Sequence, residues 1–180
     1  MDHPEAIIPK VSLPLFEALK KASLYPPTPS KKVRRDSRGF YFYRYSYPTW
    51  PHHDSSTRPG LRYEIFAGIE GENWISLVCS SYGKGVEGIM MEELWERLGP
   101  LFEHLRDEEG YQAFEKGPLG GRSGPNGSIG LFRPVPLRSE AMSEALFELI
   151  RATKDPITQF IKDWGPERVG GFTRMASKFK

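Results

Sequence analysis

The stretch that leaves this chain least freedom runs from Leu61 to Ser80. Leu61, Tyr63, Ile65, Ala67 and Ile69 fall on one side of an extended backbone, and Arg62, Glu64, Phe66, Gly68 and Glu70 on the other. That period of two specifies a strand, because a helix would scatter the same residues around its circumference. Glu70-Gly71-Glu72-Asn73 has turn composition. Trp74 to Ser80 then returns, with Ile75, Leu77 and Cys79 on one face and Trp74, Ser76 and Val78 on the other. A hairpin with an apolar face follows. Two strands alone are marginal in water, so the rest of the chain must supply more strands and a covering layer.

Both are legible. FYFYRYSY, ahead of the hairpin, reads as a strand, as do YQAFEK and SIGLFRPVP after it. Pro134 and Pro136 should confine the end of the last strand to a sheet edge. From about Ile89 to Arg106, Met91, Leu94, Trp95, Leu98, Leu101, Phe102 and Leu105 form an apolar stripe at helical spacing. Gly99-Pro100 predicts a break within it. A second helix is expected from Ser139 to Trp164, with a fresh start at Asp155-Pro156. A short one, Leu13–Ala22, should be capped by Ser12 after an extended lead-in over residues 1–11. The expected class is α+β: an antiparallel sheet of about five strands, two main helices on one face, and a short N-terminal helix. The expected organisation is an N-terminal helix and basic Pro-rich arm over 1–38, one domain over 39–165, and a basic tail over 166–180.

At 180 residues the chain suits a single domain. One cysteine, Cys79, excludes an internal disulfide and any multi-cysteine zinc site. MDHPEAIIPK lacks the pattern of a secretory leader, and no apolar run is long enough to span a bilayer, so a cytoplasmic protein without membrane contact is expected. His52, His53 and Asp54 point in alternate directions on an extended chain and have no second ligand cluster. SSYGKGVEG lacks the upstream glycine and the following Ser/Thr of a phosphate-binding loop. No metal or cofactor is expected from these residues, and no catalytic constellation is complete. Glu64 and Glu70 share a strand face, which suits a Mg-dependent nuclease only in part, since no Asp, Glu or Lys follows on the return strand. Exposed hairpin charges explain them as well.

Charge is distributed unevenly. Residues 1–60 hold ten Lys/Arg against five Asp/Glu, residues 61–120 five against twelve, and residues 121–180 ten against six. Lys31, Lys32, Arg34, Arg35 and Arg38 crowd into SKKVRRDSRG, behind a Pro-rich stretch that favours an extended, solvated arm. The aromatic strand follows at once. Tyr41, Tyr43, Tyr45 and Tyr47 share one face, and each buried hydroxyl would need a partner, so a half-wet tyrosine face is expected. Arg44 lies on the other face. Basic residues that track phosphates beside aromatic rings that stack on bases make a nucleic-acid surface for DNA or RNA. Arg122 and Arg133 would extend it if they lie on the same side. The leading functional expectation is a non-catalytic nucleic-acid-binding accessory protein. The alternative is a protein-interaction subunit whose N-terminal arm or C-terminal tail orders on a partner. A Mg-dependent nuclease stands third.

Overall fold

The computed structural model describes residues 3–50, 60–68, 71–80, 93–113 and 128–164. Its centre is an antiparallel sheet of seven strands: β1 (Thr28–Pro29), β2 (Arg34–Arg35), β3 (Tyr41–Ser46), β4 (Leu61–Ala67), β5 (Asn73–Ser80), β6 (Gln112–Ala113) and β7 (Ser128–Pro134). The order is β1-β3-β4-β5-β7-β6, and β2 pairs with β3 beside β1. The α+β class is as expected. The strand count is higher because β1 and β2 are two-residue pairings, too short for any alternation to announce, whereas β6 falls within the expected YQAFEK strand. β7 lies between β5 and β6, and Pro134 closes its end opposite Trp74.

Register places side chains on two faces. Tyr63 pairs with Leu77 and Ile65 with Ile75, which continues the apolar face from β4 to β5. Tyr43 opposite Ile65, Tyr45 opposite Tyr63, and Leu77 opposite Leu131 extend it to β3 and β7. The expected hairpin faces are therefore in place. The turn uses Gly71 at φ +94° and a Gly68 N–H to Glu72 carbonyl bond of 2.8 Å. That backbone conformation favours glycine.

The helices are α1 (Pro4–Ile7), a 3-10 turn (Ile8–Val11), α2 (Ser12–Lys21), α3 (93–97), α4 (Gly99–Glu108) and α5 (Ser139–Trp164). Four expectations need comment. The lead-in is helical rather than extended: His3 caps α1 by accepting the Glu5 amide at 3.4 Å, and Ile7, Ile8 and Val11 are buried. Ser12 does not cap α2, because the 3-10 turn runs straight into that helix and leaves its hydroxyl for a tyrosine described below. The chain does break at Leu98, with Pro100 in the first turn of α4, where a missing amide costs little. By contrast α5 runs through Pro156 without restarting. Its apolar face is continuous across the proline: Met142, Leu146, Leu149, Ile150, Thr153, Ile157, Phe160 and Trp164 are all buried. Burying that stripe offsets the one amide bond Pro156 cannot make.

These helices pack on one face of the sheet. Leu15 and Leu19 of α2, Leu94 of α3, Phe102 and Leu105 of α4, and the α5 stripe all join the tyrosines and Ile65, Ile75 and Leu131 in one core. Trp164 donates to Glu93 at 2.6 Å and Arg97 pairs with Asp163 at 2.7 Å, tying α3 to the end of α5. No helix among the described residues is long and apolar enough to cross a membrane.

Candidate nucleic-acid interface

The basic segment is pinned to the sheet, not free of it. β1 pairs Thr28 with Ser46 and Pro29 with Tyr45, and β2 pairs Arg34 with Phe42 and Arg35 with Tyr41. Between them the Ser30 amide donates to the Arg44 carbonyl at 2.7 Å, and its hydroxyl accepts the Arg44 amide at 3.2 Å. The segment therefore closes the outer edge of β3. A tight turn leads into β3. Asp36 Oδ1 accepts the amides of Arg38 and Phe40 at 2.9 and 3.1 Å, and Gly39 takes φ +93°. Lys31, Lys32, Arg34, Arg35 and Arg38 are all exposed. Asp36 neutralises Arg38, with Nη2 to Oδ2 at 2.7 Å. The result is a cationic sheet edge held in a defined shape.

The tyrosines are not where a stacking platform needs them. Tyr41, Tyr43 and Tyr45 are 7, 9 and 0 % exposed and face the helices. The Tyr41 and Tyr45 hydroxyls find partners inside, as does that of Tyr47. Tyr45 meets the Ser12 hydroxyl at 3.0 Å, Tyr41 meets His3 Nε2 at 3.3 Å, and Tyr47 donates to the Tyr25 carbonyl at 2.8 Å. Next to them Tyr63 pairs with Thr153 at 2.9 Å, and Trp50 donates to Thr158 at 3.1 Å. Burial pushes the Tyr45, Tyr47 and Tyr63 hydroxyls well above the ordinary phenol range, and Tyr111 up to about 12. The expected half-wet tyrosine face is corrected: it is core, and the Tyr41, Tyr45, Tyr47 and Tyr63 hydroxyls bond to groups of the protein itself.

The opposite face of the sheet carries the unexpected chemistry. Arg62 and Glu64, expected to face solvent, are 1 and 4 % exposed. Glu64 Oε2 accepts from Arg44 Nε at 2.9 Å and from Arg62 Nε at 3.0 Å. Arg44 is thus an internal ion-pair partner, not a surface phosphate contact. Burial lowers its pKa from the ordinary arginine value, against the pull of Glu64. Beside this triad runs a row of rings. Phe40 stacks on Phe66 at 4.9 Å and 25°, Phe66 stacks on Trp74 at 4.5 Å and 19°, and Phe132 lies 5.8 Å from Trp74. Phe66, Trp74, Val78 and Phe132 form a second core, and Phe40 and Phe42 pack against it only partly buried. Among the described residues this second core contains no helical side chain.

Two guanidiniums address those partly buried rings. Arg38 lies 5.6 Å from the Phe40 centroid and Arg44 lies 4.8 Å from Phe42, and exposed Arg34 sits directly opposite Phe42 across the β2–β3 pair. Arg35 is on the tyrosine side, 5.4 Å from the Tyr41 ring. Phe40 and Phe42 were not among the expected site residues. Their signal was in FYFYRYSY itself. One face of that strand had to join Tyr63 and Ile65 under the helices, and the face rich in hydroxyls found its partners there.

Other expected residues stand apart. Arg133 is on β7 opposite Ile75, so it shares the helix-covered face, and it lies over the Tyr111 ring at 5.1 Å. Two strands, β4 and β5, separate it from the basic edge on β3. Arg122, Glu70, His52, His53, Asp54, the Gly-rich stretch after β5 and the C-terminal tail lie outside the described residues. Glu64 accepts from two arginines. No cluster of three or more His, Cys, Asp or Glu suited to a metal occurs among the described residues. Comparison with known protein families, with curated proteins and with solved structures finds no match to this chain.

Proposed function

We propose that the protein is a non-catalytic nucleic-acid-binding accessory protein that engages phosphates through the pinned edge Lys31, Lys32, Arg34 and Arg35. The observation that carries this reading is the edge itself: five exposed cations within eight positions, answered locally by one carboxylate, Asp36. Cations carried on a backbone already paired to the sheet lose less freedom on binding than those of a disordered arm. Each phosphate contact releases counterions, so affinity falls steeply with salt.

Filter binding of DNA and RNA at two salt concentrations tests this. The wild-type protein should retain nucleic acid at low salt. Lys31→Ala/Lys32→Ala/Arg34→Ala should flatten the log–log salt slope by about 2–3, at roughly 0.7–0.9 per lost contact. No retention of either polymer at low salt overturns the reading.

A second reading, a protein-interaction subunit, draws on a different observation. Among the described residues, the large side chains of Leu13 and Tyr25 are each 70 % exposed. A stoichiometric partner that co-purifies with the wild-type protein and is lost with Leu13→Ser would select it.

A further inference from the structure

We propose that the nucleic acid bound by this protein is single-stranded, with unpaired bases stacking on Phe40 and Phe42. The inference rests on the nucleic-acid reading and narrows it to one class of strand. Its ground is the second face of the sheet, not the tyrosines.

Phe40 and Phe42 are alternate residues, so they present side by side on one face, about 6.6 Å apart along the strand. Both are partly exposed, whereas Phe66 and Trp74 behind them are 1 and 4 % exposed. The row Phe40–Phe66–Trp74 is stiff: the two stacked contacts fix its planes, and Phe40 lies against Gly68, where a Cβ would collide with its ring. A rigid row of rings that ends at a partly exposed phenylalanine is preorganised to accept another flat ring.

Charge complements that end of the row. Arg38 lies over Phe40 and is anchored by Asp36 through Nε at 3.0 Å and Nη2 at 2.7 Å. Its side chain is 41 % exposed, so an incoming base can reach the guanidinium. Arg34 borders Phe42, and Lys31 and Lys32 follow along the same edge. A phosphodiester backbone tracking those cations would carry its bases over the two rings. In a duplex the base faces are already stacked on their neighbours, so only an unpaired strand can use them.

The experiment compares three labelled strands of equal length by fluorescence anisotropy at low salt: oligo(dT), an abasic strand with the same phosphate charge, and a DNA duplex. Wild-type protein should bind oligo(dT) more tightly than the abasic strand. Phe40→Leu and Phe42→Leu keep apolar bulk and remove the aromatic face. Each should weaken oligo(dT) binding about 5- to 150-fold, the range for one lost stacked base, with the salt slope unchanged. Abasic and duplex affinities should not move. Equal wild-type affinity for oligo(dT) and the abasic strand overturns the stacking proposal and leaves the phosphate reading standing. That comparison holds even where a variant fails to fold. Unaltered oligo(dT) affinity in both folded variants overturns it as well. Failure of wild-type protein to bind any of the three strands overturns the nucleic-acid reading and this inference together.

Discussion

The two faces of the central sheet solve the same burial problem with opposite chemistry. The helix-covered face buries tyrosines, several of whose neutral hydroxyls are satisfied by serine, threonine, histidine or a backbone carbonyl from elsewhere in the chain. The second face buries charge, with two arginines converging on one carboxylate oxygen beside a row of stacked rings. Neutral hydrogen bonds are each worth about 1 kcal/mol and fail gently. A buried ion triad contributes little net stability while whole, and costs a great deal when one member is removed. The first face should therefore tolerate single losses that the second does not.

The largest expected effect tests the triad. Glu64→Gln leaves Arg44 and Arg62 facing a neutral amide and should cost about 3–5 kcal/mol, read from urea unfolding. A cost below about 1 kcal/mol would mean that solvent or other groups already balance those charges, and the contrast between the faces would collapse.

Alkaline pH addresses the other face. Tyr111, Tyr45, Tyr47 and Tyr63 all have folded pKa values raised by burial above the phenol value of about 10. A raised folded pKa means that the protonated form is favoured by folding. That stability is complete below about pH 10 and is lost as pH rises towards the folded values. For Tyr111, at about 12, full ionisation corresponds to roughly 2–3 kcal/mol. Urea midpoints measured from pH 9 to 12 (about the window the phenols define) should hold and then fall, in step with tyrosinate absorbance. A flat profile would mean that the phenols are open to water.

Gly130 probes how closely the strands meet. It takes φ +155°, and a Cβ there would collide with the Leu77 carbonyl oxygen. Gly130→Ala should cost about 1–3 kcal/mol through a shift of β7 against β5. The smallest effect is Tyr63→Phe, about 1 kcal/mol, because Thr153 still donates to the Leu149 carbonyl at 2.6 Å after the phenol is gone. If Tyr63→Phe proved as costly as Glu64→Gln, neutral and charged burial would be equivalent in this protein.

Much of the fold was readable in the chain because the signals were local. Alternation in Leu61 to Ala67 fixed both faces of β4, and the stripe around Leu94, Phe102 and Leu105 fixed a helix and its break. What escaped reading depended on distant partners. The Tyr45 hydroxyl is satisfied by Ser12, 33 residues away, and Tyr63 by Thr153, 90 residues away. Without those partners, four tyrosines on one strand face read as too polar for a core. Arg62 and Glu64 looked like solvent-facing charges because the residue that completes their triad, Arg44, lies on another strand. The basic edge was legible as charge but not as structure, since two-residue pairings leave no pattern. Of the expected cations, Lys31, Lys32, Arg34, Arg35 and Arg38 share one exposed edge, whereas Arg44 is buried and Arg133 is separated from that edge by two strands; the proposed stacking rests on Phe40 and Phe42, not on the tyrosines between and beyond them.

One contact made early in the chain sets a timetable. The Ser143 hydroxyl donates to the Val11 carbonyl at 2.9 Å, across a separation of 132 residues, and α2 lies against α5 around it. During synthesis at about 5–20 residues per second, the N-terminal helices wait roughly 7–26 s for the helix that covers them. Throughout that interval Ile8, Val11, Leu15 and Leu19 lack the α5 side of their core, so the nascent chain, more than the finished protein, is the species that a chaperone would be expected to hold.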